Sequence, residues 1–503
     1  MLTHQLFLGH NDQCRLQFYQ QYVDLPHDYQ NADSAARLRH VSTTSIYRAM
    51  QVIADDLNQL RAEKGLATMP ASIPINKRFN IPAPGYAVFL MRESLAGKFL
   101  LAVLQHPDWS LREFADSQNT SNATIFRRVR NLSEFLKQFD VRINFNPIGL
   151  IGNETVIRFT LAELIWQLSQ DGTDLLPELA QEANQVAQAI EDAGLKTSNF
   201  VRARLNIICA VNIARQRQGH VISGIRPIEE ILSTTVANPR HKHLTSCPVN
   251  FESSFALIYL EMMLGTSFHS HKDELAASFI GHHARLNTIE WQFVNLIVRR
   301  VRSVAGVDEH RLDDQVLIGN MLIITVALNL LDVPVPAFEP VMVATGTPTP
   351  NSLKKAVNQI FATLPDHLQS FRRIQTSLTT RLLPLLSSAM PDAMEKVRIH
   401  IDPTMEHQIY VAVEASLQQM PAVKLVQSDE LARLTITSDL SKAYLPMKED
   451  SHYFYFSISS YSAWLRLEHY IHYLAVHEFG IRTGSGIDYT YTNLDFWEKV
   501  KQN

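Results

Sequence analysis

Apolar residues recur at helical spacing between residues 110 and 137. One stripe lies at i, i+4, i+7 and i+11, which predicts a helix with a single buried face: Ile125, Val129, Leu132 and Leu136. Just upstream, Ser110 and Glu113 form a capping-box pattern, so a helix should begin at Leu111. Asn119-Thr120 predicts a turn between the two helices. Two short helices joined by a tight turn are typical of a helix-turn-helix unit.

The polar side of the second predicted helix carries groups that suit DNA. Arginine can form paired hydrogen bonds with guanine and asparagine with adenine, and hydroxyl groups can bind phosphates. Either Ser121 or Asn122 should also cap this helix. The candidate DNA-contacting residues are Ser121, Asn122, Thr124, Arg127, Arg128, Arg130 and Asn131. The alternative is that the arginines only solvate an ordinary helix.

The same short pattern occurs earlier in the chain. The segment Val41–Arg48 reads Val-Ser-Thr-Thr-Ser-Ile-Tyr-Arg, and 79 residues later the chain reads Thr-Ser-Asn-Ala-Thr-Ile-Phe-Arg. An alanine lies five residues before each segment, Ala36 and Ala115. We therefore predict a first helix-turn-helix unit, with candidate DNA contacts at Thr44, Ser45, Tyr47 and Arg48. DNA phosphates would repel Asp55 and Asp56, which follow in the same predicted helix. This unit is therefore either an accessory DNA-binding unit or one that only packs against the rest of the protein.

A β-hairpin is predicted directly after the second unit. Residues 141–145 alternate strictly between apolar and polar side chains, as in a half-buried strand. Residues 146–149 predict a turn, and Leu150-Ile151 can return as a second strand. Arg142 and Asn144, with Asn146, share the predicted solvent face and could reach a phosphate backbone. This hairpin would be the wing of a winged helix-turn-helix.

Beyond the wing the pattern is almost wholly helical up to residue 394. An amphipathic helix is predicted at 154–170, and the residues that follow fall into two helical blocks. From residue 395 strands alternate with helices, which predicts a small α/β domain with a parallel sheet. Its predicted strands are 397–401, 423–427, 434–437 and 453–456, and its predicted helices are 407–419 and 461–479.

The fold class predicted from these patterns is a multidomain, mainly α protein. Its predicted domains are a helix-turn-helix domain at 1–90, a winged helix-turn-helix domain at 91–170, helical domains at 171–281 and 282–394, and a small α/β domain at 395–503. A length of 503 residues fits several domains better than one.

Charge is distributed unevenly along the chain. The formal net charge is −4, which excludes a generally basic protein. Residues 1–160 carry 17 Lys and Arg against 14 Asp and Glu, a balance of +3, and the remainder has a balance of −7. This asymmetry favours DNA binding confined to the N-terminal part.

The composition predicts an intracellular compartment. Cys14, Cys209 and Cys247 have neither metal nor disulfide spacing, which favours reduced thiols. We find no secretory signal pattern at the start, and the longest apolar run, 316–331, is too short to span a bilayer. We therefore expect a cytoplasmic protein with no membrane partner.

The order of these predicted units resembles that of a known family. The string Gly152-Asn153-Glu154-x-x-Ile157-Arg158 follows the wing, and residues 207–222 look like the start of a phosphotransferase-system regulation domain (PRD). Together with the two helix-turn-helix units and the α/β tail, these features resemble the Mga/AtxA-like, PRD-containing transcriptional virulence regulators of Gram-positive bacteria. The resemblance extends over nearly the whole chain.

The resemblance implies a transcription regulator, usually an activator, that binds double-stranded promoter DNA. It further implies that the two helical domains are PRD-like and are phosphorylated on histidine by HPr or an EII-type protein of the sugar phosphotransferase system. The tail would be EIIB-like and would help to form a homodimer, and RNA polymerase is a possible partner. Because no cysteine follows Cys247, we expect the tail to be an interaction module rather than a phosphoryl carrier.

Four histidines are candidates for phosphorylation. His220 lies where the resemblance places a phosphorylatable imidazole in the first helical domain. A solvated helix end explains His220 nearly as well, because a cationic histidine is favoured there. Weaker candidates are His282, His283 and His310. In the second helical domain Asn320 occupies a position where related domains often have histidine, so the resemblance implies reduced regulation there.

We expect neither metal nor cofactor nor enzymatic activity. The histidines of 241–243, 269–271 and 469–477 lack a cysteine or acidic partner at ligand spacing. No glycine-rich phosphate loop, nucleophile elbow or paired catalytic carboxylate is present in the sequence.

Two other classes of protein remain open from the sequence. An RNA-binding antiterminator shares paired regulation domains, but it would need a small β-rich RNA-binding module at the front. A scaffold protein that does not bind DNA would use the helix-turn-helix units only for packing.

Overall fold

Helices make up most of the chain up to residue 387, and a small parallel sheet follows. The computed structural model describes residues 3–23, 30–39, 41–169, 175–192, 199–224, 231, 252–265, 268, 274–304, 307–337, 351–387, 389, 396–420, 423–437, 452–455, 467, 471 and 474. The predicted linker at 171–174, the histidine clusters at 241–243, 269–271 and 469–477, and most of the predicted helix at 461–479 lie outside these residues. In the described ranges no helix has the length and apolar character needed to cross a membrane.

The described N-terminal part consists of helices and one hairpin. Its helices are α1 (Thr3–Phe7), α2 (His10–Val23), α3 (Ala32–Arg39), α4 (Thr43–Glu63), α5 (Ile75–Arg78), α6 (Ala83–Glu93), α7 (Leu95–Gln105), α8 (Leu111–Ser117), α9 (Asn122–Arg128) and α10 (Arg130–Lys137). The hairpin consists of β1 (Arg142–Phe145) and β2 (Ile148–Ile151).

The middle of the described chain is helical throughout. Its helices are α11 (Glu154–Ser169), α12 (Pro177–Asp192), α13 (Asn199–Arg217), α14 (Glu252–Gly265), α15 (Glu274–Leu286), α16 (Ile289–Val301), α17 (Glu309–Leu312), α18 (Gln315–Leu331), α19 (Asn351–Ala362), a 3-10 helix (Asp366–Arg372) and α20 (Gln375–Ser387). The tail contains β3 (Val397–Ile401), α21 (His407–Gln418), β4 (Val423–Leu425), a 3-10 helix (Asp429–Leu431), β5 (Leu434–Thr437) and β6 (His452–Tyr455).

The sequence repeat is also a structural repeat. In the first unit the Val41 amide donates to the Ala36 carbonyl at 3.1 Å, and in the second the Thr120 amide donates to the Ala115 carbonyl at 3.0 Å. These bonds join α3 to α4 and α8 to α9 through the same turn. Both alanines are buried, so each pair of helices approaches closely at this point. The first unit therefore shares its backbone bond and its buried alanine with the second.

The second helix of the second unit is shorter than predicted. The predicted stripe from Ile125 to Leu136 is fully buried, but the helix breaks at Val129, which separates α9 from α10. Val129 has ψ of 0°, outside the helical range, and its own side chain is buried. In the first unit the corresponding helix, α4, continues unbroken for 21 residues.

The hairpin turn is tighter than predicted. β1 and β2 pair antiparallel with Arg142 opposite Ile151 and Phe145 opposite Ile148. The turn is therefore Asn146-Pro147 alone, and Ile148-Gly149, predicted as part of the turn, already belong to β2. The amide of Ile148 donates to the Trp109 carbonyl at 2.6 Å, which fixes the hairpin to the segment before α8.

One hydrophobic core connects the N-terminal units to the helical middle. Its buried side chains extend from Leu6 to Ala389, so the predicted boundaries at 90, 170 and 281 fall within it. Helix α11 is buried on every side from Thr155 to Leu168, except at Glu163, which is half-buried. The prediction of an amphipathic helix there was wrong, because neighbouring helices cover α11 all round.

The tail has a core and a sheet of its own. The strands lie in the order β4-β3-β5-β6 and all neighbours are parallel, as predicted. The observed bounds of β3 and β5 equal the predicted ones, and those of β4, β6 and α21 differ by one or two residues. The second core consists of buried apolar side chains from the strands, from α21 and its N-terminal flank, and from positions after β6: Val397, Ile399, Ile401, Met405, Val413, Leu417, Val423, Leu434, Ile436, Leu467, Ile471 and Leu474.

Candidate nucleic-acid interface

The turn between α8 and α9 is held by capping groups at both helix starts. The Ser110 amide donates to Glu113 Oε2 at 2.6 Å, and the Glu113 amide donates to Ser110 Oγ at 3.3 Å. The bond from the Ser110 backbone lowers the pKa of the Glu113 carboxyl group. At the start of α9, Ser121 Oγ accepts from the Thr124 amide at 3.2 Å. Both predicted caps are therefore present, and they fix where α9 begins.

Helix α9 and the first residue of α10 present four exposed side chains. Ala123, Phe126, Arg127 and Arg130 lie at i, i+3, i+4 and i+7, and all four are exposed. The opposite side is anchored by Ile125, which is fully buried. We call these four residues the α9 strip. It offers two guanidinium groups: Arg127 lies on the helix that reads the major groove in proteins of this architecture, and Arg130 lies at the start of α10.

Four of the predicted DNA-contacting residues in and around α9 also make contacts within the protein. The hydroxyls of Ser121 and Thr124 lie 3.0 Å apart within the cap. The Asn131 amide group donates to the Gln5 carbonyl at 2.9 Å, so it holds α1. The Arg128 guanidinium lies against Gly9, where an added Cβ would come within 1.8 Å of Arg128 Nη1. Arg128 and Asn131 contact the N-terminal helices but both remain exposed, as does Asn122 at the start of α9, so a DNA contact by each of them stays a prediction.

The first unit exposes a similar but smaller set. Thr44, Tyr47 and Arg48 are exposed on α4 as predicted. Ser45 is buried, and its hydroxyl lies 2.8 Å from Ser42 Oγ, so its predicted DNA contact is corrected. The predicted repulsion between Asp56 and DNA phosphates is also reduced, because Asp56 Oδ2 accepts hydrogen bonds from both Arg15 Nη1 (2.9 Å) and Tyr86 Oη (2.7 Å).

The wing lies beside α9. The Phe126 ring meets the Phe145 ring edge-on, with centroids 4.6 Å apart. Because register partners share a face, Arg142 and Ile151 lie on the same side of the hairpin, as do Asn144 and Gly149. Arg142 is exposed and Asn144 is half-buried. The wing thus adds one exposed guanidinium to those of the α9 strip.

The Gly152-Asn153-Glu154 string closes the wing and starts α11. A Cβ added to Gly152 would lie 2.9 Å from the Asp140 carbonyl oxygen, so the two backbones pass too closely for a side chain. Asn153 Oδ1 then accepts from the Thr155 amide at 2.9 Å and caps α11. The string therefore sets the position of the wing relative to the helical middle.

We expect Gly152→Ala to destabilise the N-terminal part by about 1–3 kcal/mol, because the new methyl group must displace backbone. Gly149→Ala is the matched control, since a Cβ there meets nothing within 4 Å. The free energy of unfolding in urea measures both. Equal effects of the two substitutions would contradict the close approach at Gly152.

Glu154 and two buried arginines join the N-terminal part to α13. Glu154 accepts from Arg158 Nε at 2.8 Å and from Arg215 Nη2 at 2.7 Å. Arg158 is 1% exposed, and its Nη2 donates to the His220 carbonyl at 2.8 Å. Gln218 Nε2 donates to the carbonyls of Val103 and Leu104 at the end of α7, at 3.2 and 3.1 Å. The end of α13 therefore contacts both α7 and α11.

The four candidate histidines differ in accessibility. His220 and His310 are exposed and His282 is half-buried. Burial and the neighbouring Arg215 lower the pKa of His220. His283 is fully buried, with Nδ1 at 2.8 Å from Thr288 Oγ1, so its prediction as a phosphorylation site is corrected. Asn320 bonds both to the amide and to the carbonyl of Phe268, at 2.7 and 3.0 Å.

Burial of His283 should make stability depend on pH. Burial, reinforced by His282, lowers the pKa of His283 from 6.5 to about 4. As pH falls below 6.5 the unfolded chain gains a proton that the folded chain does not, so stability that is complete above this pH is lost towards pH 4, by at most about 3 kcal/mol. We expect His283→Gln to flatten this loss in unfolding experiments at pH 7, 6 and 5. His310→Gln is the control, and an unchanged slope in His283→Gln would contradict the assignment.

The sequence analysis missed the exposed Phe126 of the second unit and the ion pairs that Glu154 makes with Arg158 and Arg215. Phe126 was not among the candidates, although Tyr47 of the matching Ile-Tyr-Arg run was. The string Gly152–Arg158 pointed to part of this ion-pair network. Arg215, the other partner of Glu154, lies 61 residues away on α13. Within the described ranges, no group of three or more His, Cys, Asp and Glu side chains is arranged to hold a metal ion.

The fold and the exposed arginines define a winged helix-turn-helix protein with the surface chemistry of a nucleic-acid binder. Residues 87–165 match the family model of the Mga helix-turn-helix domain. The match runs from within α6 to within α11 and includes α8, α9, the wing and the Glu154 string. The resemblance to Mga-like regulators predicted from the sequence is thus confirmed for this segment, and it indicates a DNA-binding transcription regulator. No curated protein matches the chain.

Proposed function

We propose that this protein binds double-stranded promoter DNA through the α9 strip and the wing and thereby regulates transcription. The observation that carries the proposal is the exposure of Arg127 on α9, the second helix of a unit that matches the Mga helix-turn-helix domain, and of Arg130 at the start of α10. Arg142 on the wing supplies a third cation beside them. Guanidinium groups at these places suit guanine edges and phosphates.

Genome-wide crosslinking and DNA pulldown test this proposal in the cell. The wild-type chain is compared with an Arg127→Ala/Arg130→Ala pair expressed at the same level. Discrete promoter peaks that disappear in the pair are the expected result, and they would also supply the target genes. Peaks that persist unchanged in the pair, or no enrichment in either protein, would overturn the proposal.

The regulation proposed for this protein is activation tuned by the sugar phosphotransferase system. His220 is the preferred phosphoryl acceptor because it is exposed and because Arg158 of α11 donates a hydrogen bond to its carbonyl. HPr or an EII-type protein would donate the phosphoryl group, and a dimer of this chain would contact RNA polymerase. A phosphoryl group on His220 would bring as many as about two negative charges close to Arg215. That is enough to rearrange the contacts of Arg158 and Arg215 with Glu154.

Phosphohistidine analysis tests this regulation directly. The purified chain is incubated with phosphorylated HPr, and the acid-labile label is compared between wild type and His220→Ala. We expect label in the wild type and its loss in the variant. Label retained in His220→Ala would move the site elsewhere, and His310 is the other exposed candidate.

We propose no enzymatic activity and no cofactor for this protein. We also favour DNA over RNA as the ligand, because the described front of the chain consists of helices and a single hairpin. From the resemblance to Mga-like regulators we also propose that the chain forms a homodimer through its EIIB-like tail. Light scattering at micromolar concentration tests it, and a monomer there would contradict it.

A further inference from the structure

The two helix-turn-helix units expose an aromatic ring at the same position. Tyr47 is 57% exposed and Phe126 is 48% exposed, and each directly precedes an exposed arginine. Most other apolar side chains of these two helices are buried. A half-exposed ring at the equivalent position of two repeats, each time directly before an exposed arginine, points to a contact made with a partner.

The ring in the second unit is held in place by the wing. Phe126 contacts Phe145 edge-on, and Phe145 in turn lies 6.0 Å from Phe99 on α7, centroid to centroid. Phe99 is buried, so this chain of rings connects Phe126 to the core. Little conformational freedom remains to be lost when the exposed edge of Phe126 meets a ligand.

The neighbours of each ring limit what it can contact. On α9, Ala123 lies one turn before Phe126 and Arg127 directly after it; on α4, Thr44 and Arg48 occupy the same places. Phe126 cannot hydrogen-bond to a base edge or a phosphate, and Tyr47 has the same apolar ring with a hydroxyl only at its tip. In the major groove the partner of such a ring is the C5 methyl group of thymine, which alanine and threonine methyl groups also contact, whereas arginine pairs with guanine.

We propose that Phe126 and Tyr47 are specificity-determining residues, each of which contacts the methyl group of a thymine next to a guanine bound by the following arginine. This inference rests on the proposed function. Because the two units carry the same pattern, the binding site contains the thymine–guanine step twice. Ala123 and Thr44 complete the apolar surface around each methyl group.

Replacing thymine with deoxyuridine tests the inference, because it removes only the methyl group. The full chain first selects its preferred duplex from a random pool, and each thymine in that duplex is then replaced in turn. We expect roughly fourfold weaker binding at two thymines, each beside a guanine, which corresponds to the burial of one methyl group. In Phe126→Ala one of these two penalties disappears, and in Tyr47→Ala the other does.

A structural role for Phe126 gives a different result in the same experiment. If Phe126 only supported the wing, Phe126→Ala would weaken binding to the thymine and uracil duplexes equally, and the penalty would remain. Phe145→Leu is the control for that role: it loosens the ring contact but should keep the penalty. Circular dichroism checks that each variant is folded.

Three outcomes would overturn the inference. Binding that no uracil substitution weakens would remove the methyl contact while leaving the proposed function standing. A penalty that persists in both aromatic variants would assign the contact to other residues. Failure to select any duplex would remove the proposed function and this inference together.

Discussion

Arg158→Ala is expected to lower the free energy of unfolding by about 3–5 kcal/mol, the usual result of removing one partner from a buried ionic network. Arg158 Nη1 donates to Ser254 Oγ at 2.8 Å and to Asn212 Oδ1 at 3.1 Å, in addition to its bonds with Glu154 and His220. Removing the guanidinium would leave the buried acceptors Ser254 Oγ and Asn212 Oδ1 without this donor. It would also leave Glu154 with Arg215 alone.

Urea unfolding followed by helical circular dichroism measures this loss. Lys137→Ala is the control because Lys137 pairs with Glu134 at 2.9 Å on an exposed surface, where an ion pair contributes less than about 1 kcal/mol. We expect the midpoint of Arg158→Ala to fall well below that of Lys137→Ala. Coincident unfolding curves for the two variants would show that the buried network contributes little.

Arg127→Ala/Arg130→Ala is expected to weaken duplex binding by roughly a hundredfold or more, because each arginine bound to a base edge contributes about 1–3 kcal/mol of discrimination. Arg142→Ala should act differently. Without the phosphate contact from the wing, binding to all sequences weakens alike, and the slope of log K against log salt falls by about one.

Fluorescence anisotropy with a labelled promoter duplex at several salt concentrations measures both effects. Arg373→Ala is the control for net charge, since this arginine is 63% exposed and pairs with Asp332 far along the chain from α9. Its affinity and salt slope should equal those of the wild type. An equal loss in Arg373→Ala and in the Arg127/Arg130 pair would mean that general charge, not the α9 strip, determines binding.

Local rules predicted the N-terminal units and the tail well. The capping box at Ser110, the turn at Thr120 and the strands β3 and β5 each depend on neighbours close in sequence, so spacing and residue type are enough to place them. The repeat of Val41–Arg48 was a further guide. Two segments with the same caps and the same buried isoleucine adopt the same turn.

Contacts between distant segments account for the errors. Arg128 and Asn131 also contact Gly9 and α1, and nothing near them in sequence indicates these contacts. Helix α11 has polar residues around its circumference, and partners of its buried Arg158 come from α13 and α14. The spacing of Ile125 to Leu136 was right about burial, yet it could not show the break at Val129.

Photo-crosslinking tests most directly whether the α9 strip and the wing face the DNA. A promoter duplex that contains 5-bromodeoxyuridine is irradiated in complex with the full chain, and the crosslinked peptides are identified by mass spectrometry. We predict crosslinks within residues 121–130 and 142–149, with a second set within 44–51 from the first unit. Crosslinks confined to the helical middle or the tail would contradict the assignment of this face as the DNA-binding surface.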